Sequence, residues 1–388
     1  MALRRHLLYE GKYMNQRPSP AGPYAVGTIT YTVYTDRAEL RAPGMKRSVP
    51  VRVYYPVDKR SVAGLGQARY MSRNMAQGLK KAIHVPLDYD KREAAGDNVS
   101  ACYPNAPRMP GARFPVIVYN HGLSSYRESN SFLCIELASQ GYAVLAVGHP
   151  YDACCAELDD GTCIYFDAEL SKKQYDPFWG GMMKALALTC SKGDHRALAR
   201  KFEELQGQYC QLIVSRVLVW KQDVLDAVQY AQEHYGDLMA FDMGLGITGH
   251  SLGGAVAYAL CLDRPEFVCG VNMDGAPFGE TAGKVLEKPF LQISCKANVK
   301  AEARVFIDHT RPVYGAVFQR MQHLGFTDMK HMMHLALLTG GLDADVMHEN
   351  LRRLHLEIFD TYVKMTKDRP QMVSSESVTV TEYPPDVH

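Results

Sequence analysis

The chain has 388 residues, 47% hydrophobic and 22% charged, which is enough apolar side chain for a large core and excludes a collagenous or wholly disordered protein. Its formal net charge is +1 with both signs interspersed, so it carries no electrostatic footprint for nucleic acid. No apolar run approaches the ~18 residues of a membrane span, and Glu10 and Lys12 interrupt the opening MALRRHLLYEGKYMNQ too early for a signal peptide, so a cytoplasmic location is expected.

After the Pro/Gly-rich RPSPAGPYAVG, the segments TITYTVYT and SVPVRVYYP are rich in Val, Thr and Tyr and predict an N-terminal antiparallel strand pair. Residues 57–113 carry Pro86, Pro104, Pro107 and Pro110; apart from a helical NMAQGLKKAI they read as an excursion over the surface. FPVIVYN, ESNSFLCIELASQG and YAVLAVGHP follow as strand, helix and strand, a βαβ unit whose strands pair in parallel. Residues 167–210 are mixed and helix-prone and read as a cap-like insertion.

In SRVLVWKQDVLDAVQYAQEH, Val217, Trp220, Val224, Val228 and Ala231 recur at helical spacing, which predicts a long amphipathic helix against the sheet. GLGITG, FVCGVNMD and PFLQISC are buried-strand candidates, with the helix LGGAVAYALCLD between the first two. PVYGAVFQRM reads as a last strand and VMHENLRRLHLEIFDTYVKMT as a closing helix. From Asp368 the chain is polar with prolines, so residues 368–388 are expected as a loosely held tail behind one α/β domain of residues 1–367. The ten cysteines are scattered, and no Cys/His spacing suits zinc. Reduced thiols are therefore expected, with Cys154, Cys155 and Cys163 clustered in sequence.

The stretch GLGITGHSLGGAVAYAL sets Ser251 between Gly249 and Gly253. Gly-x-Ser-x-Gly is short enough to arise by chance, but here it joins a strand to a helix, as a nucleophile elbow requires. A serine hydroxyl needs a base and an acid, expected after later strands in the order acid, then histidine. Asp274 ends FVCGVNMD before Gly275-Ala276-Pro277, and we prefer it to Glu302, which lies seven residues beyond Cys295. Of His309, His323, His331, His334, His348 and His355, only His323 closely follows a strand candidate. Position alone does not separate it from a structural histidine. An oxyanion hole needs two N–H donors: that of Leu252, after the serine, and one after an earlier strand, for which Leu123 of His121-Gly122-Leu123 is the candidate.

The ordered pieces GPYAVG, VRVYYP, NAPRMPGARFPVIVYNHGLSSYR, GYAVLAVGHPYDA, GHSLGGA, NMDGAPFG and HLGFTD span Gly22 to Asp328. Together they resemble the platelet-activating-factor acetylhydrolases of the plasma and type II kind, which are α/β-hydrolases. The resemblance implies a mostly parallel sheet with helices on both faces, and a triad of Ser251, Asp274 and His323. It also supports Leu123 beside Leu252 as oxyanion donors. Two departures stand out: Ser124 replaces a family glycine, and 167–207 matches no family element.

The expected activity is serine-dependent hydrolysis of a carboxylic ester through an acyl-enzyme, without metal or organic cofactor. The resemblance implies short or oxidised acyl groups on a phospholipid. A general short-chain carboxylesterase acting on soluble esters or polyester fragments, and a catalytically dead binding protein, are the alternatives. Oligomeric state stays open, as does a peripheral membrane contact through NMAQGLKKAIHV or FWGGMMKALAL.

Overall fold

A computed structural model of the chain describes residues 17–83, 89–166, 188, 191–332 and 336–385. The N-terminal segments form β1 (Ala25–Ala38) and β2 (Lys46–Val57), an antiparallel pair with Val33 opposite Val49. Residues 57–113 leave the sheet, but they are not purely superficial. In helix α1 (Arg73–Ile83), Met75, Ala76 and Leu79 are buried against Phe132 and Cys154, and β3 (Tyr103–Pro104) returns to pair with β1. The apolar spacing of NMAQGLKKAI therefore serves an internal contact through Met75, Ala76 and Leu79.

β4 (Val116–Asn120), helix α2 (Ser131–Ser139) and β5 (Ala143–Val147) form the expected βαβ unit, with the strands parallel. A small hairpin, β6 (Cys155–Glu157) and β7 (Cys163–Tyr165), follows. Cys154 and Cys155 are buried with thiols that burial pushes up, Cys163 is half-buried, and all nine cysteines within the described residues are free. Most of the cap-like insertion lies outside the described residues, as does FWGGMMKALAL apart from the buried Leu188. Its described part is helix α3 (His195–Tyr209), whose Leu198 and Phe202 pack against Ala303 and Phe278.

Helix α4 (Gln211–Tyr235) buries Val217, Trp220, Val224, Val228 and Ala231 as the spacing predicts. It also buries Arg216 and Asp223, which an apolar stripe does not explain. Then come β8 (Leu245–His250), helix α5 (Leu252–Asp263), β9 (Phe267–Met273), β10 (Phe290–Cys295), β11 (Val313–Phe318), helix α6 (Ala344–Tyr362) and β12 (Val378–Tyr383). Apart from the hairpin β6–β7, the strands form one ten-stranded sheet in the order β12-β11-β10-β9-β8-β4-β5-β2-β1-β3, in which β5, β4 and β8 to β11 run parallel. This is the α/β-hydrolase arrangement.

The expected loose tail is corrected by β12, which pairs antiparallel with β11 and buries Val378 completely. The Val-Thr alternation in SVTVTEY is an edge-strand signal that the surrounding polar residues and prolines obscured. PVYGAVFQRM is accordingly the last parallel strand and not the last strand of the sheet.

Side chains leave each strand to opposite faces, so the core has two layers. Val116, Val118 and Leu145 meet α4 and α5 through Val217, Trp220 and Val256. Ile117, Tyr119 and Val144 meet α2 and α6 through Leu133, Leu137 and Phe359. Each fully buried aliphatic or phenyl side chain contributes roughly 1.5–3 kcal/mol. The site is positioned by the strand order: β5 lies on one side of β4 and β8 on the other. Loops leaving the C-terminal ends of β4 and β8 diverge there, and open α/β sheets bind ligands at such a point.

Candidate active site

β8 ends at His250 and α5 begins at Leu252, so Ser251 alone makes the turn, at φ 57° and ψ −121°. This is the sharp geometry of an elbow, held because Ser251 N–H donates to the Met273 carbonyl (2.8 Å) at the end of β9. The flanking glycines are required by contact. A Cβ on Gly249 would sit 2.3 Å from the Gly253 backbone, and one on Gly253 would sit 2.3 Å from the Asn120 carbonyl oxygen. Strand, turn and helix approach one another at backbone distance.

Asp274 follows β9 directly and is itself at φ 57°, with its N–H donating to Ile293. One carboxylate oxygen accepts the Cys295 N–H (2.6 Å), the other accepts Asn298 Nδ2 (2.7 Å) and lies 2.7 Å from His323 Nδ1. Burial alone would raise this carboxyl, but the hydrogen bond and charge of His323, with the Cys295 N–H, outweigh burial and hold it below the ordinary range. His323 opens the turn His323–Phe326 after β11, and its Nε2 is 2.9 Å from Ser251 Oγ. The structure thus brings the three predicted residues into one hydrogen-bonded relay. With its Nδ1–H donated to Asp274, the imidazole presents a lone pair to the serine hydroxyl.

The competing candidates lie elsewhere. Glu302 is buried with its carboxyl against the Ser294 hydroxyl, and burial together with the Asp274 charge pushes it well above the carboxylate range. His309 bonds the Arg311 carbonyl, His355 bonds Thr248, and His331 and His348 are buried beside each other. His334 is outside the described residues.

Three supports were not read from the sequence. His250, buried and held neutral by desolvation and by the neighbouring His323, with its pKa lowered to about 3, donates Nε2–H to the His323 carbonyl at 2.9 Å. Asn298 orients Asp274. Asn130 Nδ2 donates to the Phe326 carbonyl (2.6 Å), and Asp328 accepts Ser131 Oγ (2.9 Å), Tyr70 OH (3.1 Å) and the Phe132 N–H (3.2 Å), so the histidine turn is tied to the start of α2. A sidedness signal exists for His250 alone, which occupies the elbow itself; the others become visible only when distant segments meet.

Burial outweighs those donors and raises the Asp328 carboxyl to about 8. The folded protein then keeps a proton that an unfolded aspartate, with a pKa of about 3.9, releases. Stability should therefore fall as pH rises from about 4 to 8, by at most about 1.4 kcal/mol per pH unit from this group. Urea denaturation across that window should show the stability difference between the wild type and Asp328→Asn shrinking with pH; parallel curves would count against it.

Leu252 opens α5, where the first N–H groups have no intrahelical acceptor and the helix dipole favours negative charge. Gly122 follows β4 so closely beside the elbow that a Cβ there would be 3.1 Å from Ser251 Cβ. In the turn that follows, Ser125 N–H donates to Gly122 O (3.1 Å) and Ser124 N–H to Asp152 O (2.7 Å), while Ser124 sits at φ 56°. The serine that departs from the family glycine thus occupies a left-handed position. The N–H of Leu123 takes part in neither bond.

The model of the family described as platelet-activating factor acetylhydrolase, isoform II, matches residues 10–379. The chain belongs to this family. It is 24% identical over 378 residues to the platelet-activating factor acetylhydrolase of Cavia porcellus, covering 91% of this chain and 79% of that one. With the enzyme of the same name from Gallus gallus it shares 23% identity, over 90% of this chain and 84% of the other. Among solved structures, a ferulic acid esterase from Streptomyces cinnamoneus superposes with a TM-score of 0.72 at 20% identity, covering 94% and 98% of the two chains, and so shares the fold. As a member of the acetylhydrolase family, the chain is a carboxylic ester hydrolase.

Among the described residues, no group of three or more His, Cys, Asp or Glu is placed to hold a metal ion, and no helix is long and apolar enough to cross a membrane.

Proposed function

We propose that Ser251 is the nucleophile, His323 the general base and acid, and Asp274 the residue that orients and charge-balances the imidazole, in hydrolysis of a short or oxidised acyl ester of a phospholipid. The observation that carries this reading is the relay of 2.9 Å from Ser251 Oγ to His323 Nε2 and 2.7 Å from His323 Nδ1 to Asp274. Ser251 Oγ attacks the ester carbonyl as its proton passes to His323 Nε2. The tetrahedral oxyanion is held by the N–H groups of Leu252 and Leu123. His323 then protonates the departing alcohol, and water, deprotonated by the same nitrogen, releases the acid from the acyl-serine.

A phospholipid substrate is supported by the family and by the surface beside the base. The short helical turn Ala336–Thr339 packs on His323–Phe326, and its Leu337 and Leu338 are 81% and 44% exposed. These leucines are where a lipid surface would meet the rim.

The test compares initial rates on 2-acetyl and long-chain glycerophospholipids with those on p-nitrophenyl acetate, after a fluorophosphonate probe has counted reactive Ser251. Preference for the short-chain phospholipid is expected. Labelled protein without phospholipid turnover would favour a general carboxylesterase, and folded protein that resists labelling would favour a binding protein.

A further inference from the structure

Behind the turn Gly122–Ser125 lies a buried polar cluster assembled from segments far apart in sequence. Its centre is Asp152, fully buried in the loop after β5, whose carbonyl accepts the Ser124 N–H at 2.7 Å. The Asp152 carboxylate accepts Trp220 Nε1–H (2.9 Å) and Arg41 Nη1–H (3.1 Å), and Arg216 Nε lies 3.2 Å away. Trp220 and Arg216 belong to α4, and Arg41 to the loop joining β1 to β2. A carboxylate is kept in the interior only where donors and cations surround it, so these contacts fix where the residue can sit.

The same cluster holds the residue in front of the turn. His121 Nε2 accepts the His149 N–H (3.2 Å), so the His121 proton is on Nδ1, which donates to the Gly122 carbonyl (2.7 Å). His149 in turn stacks on Trp220 at 3.9 Å and 7°. The turn needs such external support because Ser124 is held at φ 56°, a left-handed conformation unfavourable for an L-residue. With the Ser125 and Ser124 N–H groups taken by Gly122 and Asp152, the Leu123 N–H is the donor of this turn that enters neither bond, one residue after Gly122, whose position is so close to the elbow that a Cβ there would lie 3.1 Å from Ser251 Cβ.

We infer that Asp152 is a positioning residue for ester hydrolysis: its carbonyl, fixed through the carboxylate by Trp220 and Arg41, holds the turn that aims the Leu123 N–H at the developing oxyanion. This rests on the reading of Ser251 as nucleophile and Leu123 as donor. It gives a catalytic reason for the buried Arg216 and for the polar face of α4 that packing alone leaves unexplained.

The test uses Asp152→Asn and Trp220→Phe in the full chain, with active sites first titrated to completion by a fluorophosphonate. Per titrated site, kcat on p-nitrophenyl acetate should fall about ten- to hundredfold with KM changed less than about twofold. Affinity for a trifluoromethyl ketone, which becomes a tetrahedral oxyanion on Ser251, should fall by the same factor. A purely structural role would reduce the number of titratable sites and leave turnover per site and ketone affinity unchanged, which would overturn the inference. Should Asp152→Asn not fold, Trp220→Phe carries the test, since it removes the hydrogen bond to the Asp152 carboxylate while keeping an aromatic, if smaller, ring at the position that faces His149. Failure of the wild-type chain to react with the probe would overturn the esterase reading itself, and this inference with it.

Discussion

Ser251→Ala is expected to lower turnover of p-nitrophenyl acetate by about 10⁴-fold or more, because it removes the only atom that forms the acyl bond. The fold should survive. The hydroxyl contributes one bond to a histidine that is itself anchored by His250 and Asp274, and the elbow is shaped by backbone contacts that alanine leaves in place. Alanine keeps the strain of φ 57° and ψ −121°, which costs of order 1–3 kcal/mol, whereas glycine releases it. Ser251→Gly should therefore be equally inactive yet more stable to urea than Ser251→Ala, unless the elbow is held more loosely than its contacts imply. Turnover of either variant at the wild-type rate would remove Ser251 from the mechanism.

The second large effect is expected at Asp274→Asn, with kcat about 10³- to 10⁴-fold lower. The carboxylate accepts three donors: the Cys295 N–H, Asn298 Nδ2 and His323 Nδ1. An amide supplies one oxygen and one NH2. If the oxygen stays on the Cys295 N–H, the NH2 faces Asn298 and His323, where it opposes one donor and forces the other to become an acceptor. His323 then carries its proton on Nε2 and has no lone pair for Ser251. Glu302→Gln, by contrast, should change kcat less than about threefold, because its carboxyl contacts Ser294 and the imidazole is oriented by Asp274 without it. The reverse ranking of these two variants would move the acid to Glu302.

Much of this site is local enough to be read along the chain. Gly249, Ser251, Gly253 and the flanking apolar runs encode the elbow because strand, turn and helix are contiguous, and Asp274 is legible because it terminates a strand of its own. His323 is weaker in isolation: five other histidines share its region, and what selects it is the fold that brings the turn after β11 within hydrogen-bond reach of both Ser251 and Asp274. Asp152 was invisible for a different reason. Its role depends on Arg41 and Trp220, which reach it from opposite directions, and no spacing rule links a hairpin loop to a helix more than a hundred residues away. The polar residues of α4 are hidden on the same grounds, since helical periodicity registers apolar side chains and treats a buried arginine as noise.

Among the described residues the ten-stranded sheet begins and ends on short strands, β3 and β12. At one end β3 is two residues long and one of them is proline, which has no N–H to offer a neighbour. At the other, β12 buries Val378 but turns Thr379, Thr381 and Glu382 outward, a short polar hem over the strand that leads to His323. Without that hem β11 would present an apolar, unpaired ladder next to the catalytic histidine, a template for aggregation in a protein whose rim already exposes leucines. β12 thus covers the edge of β11 beside the catalytic turn with a polar face.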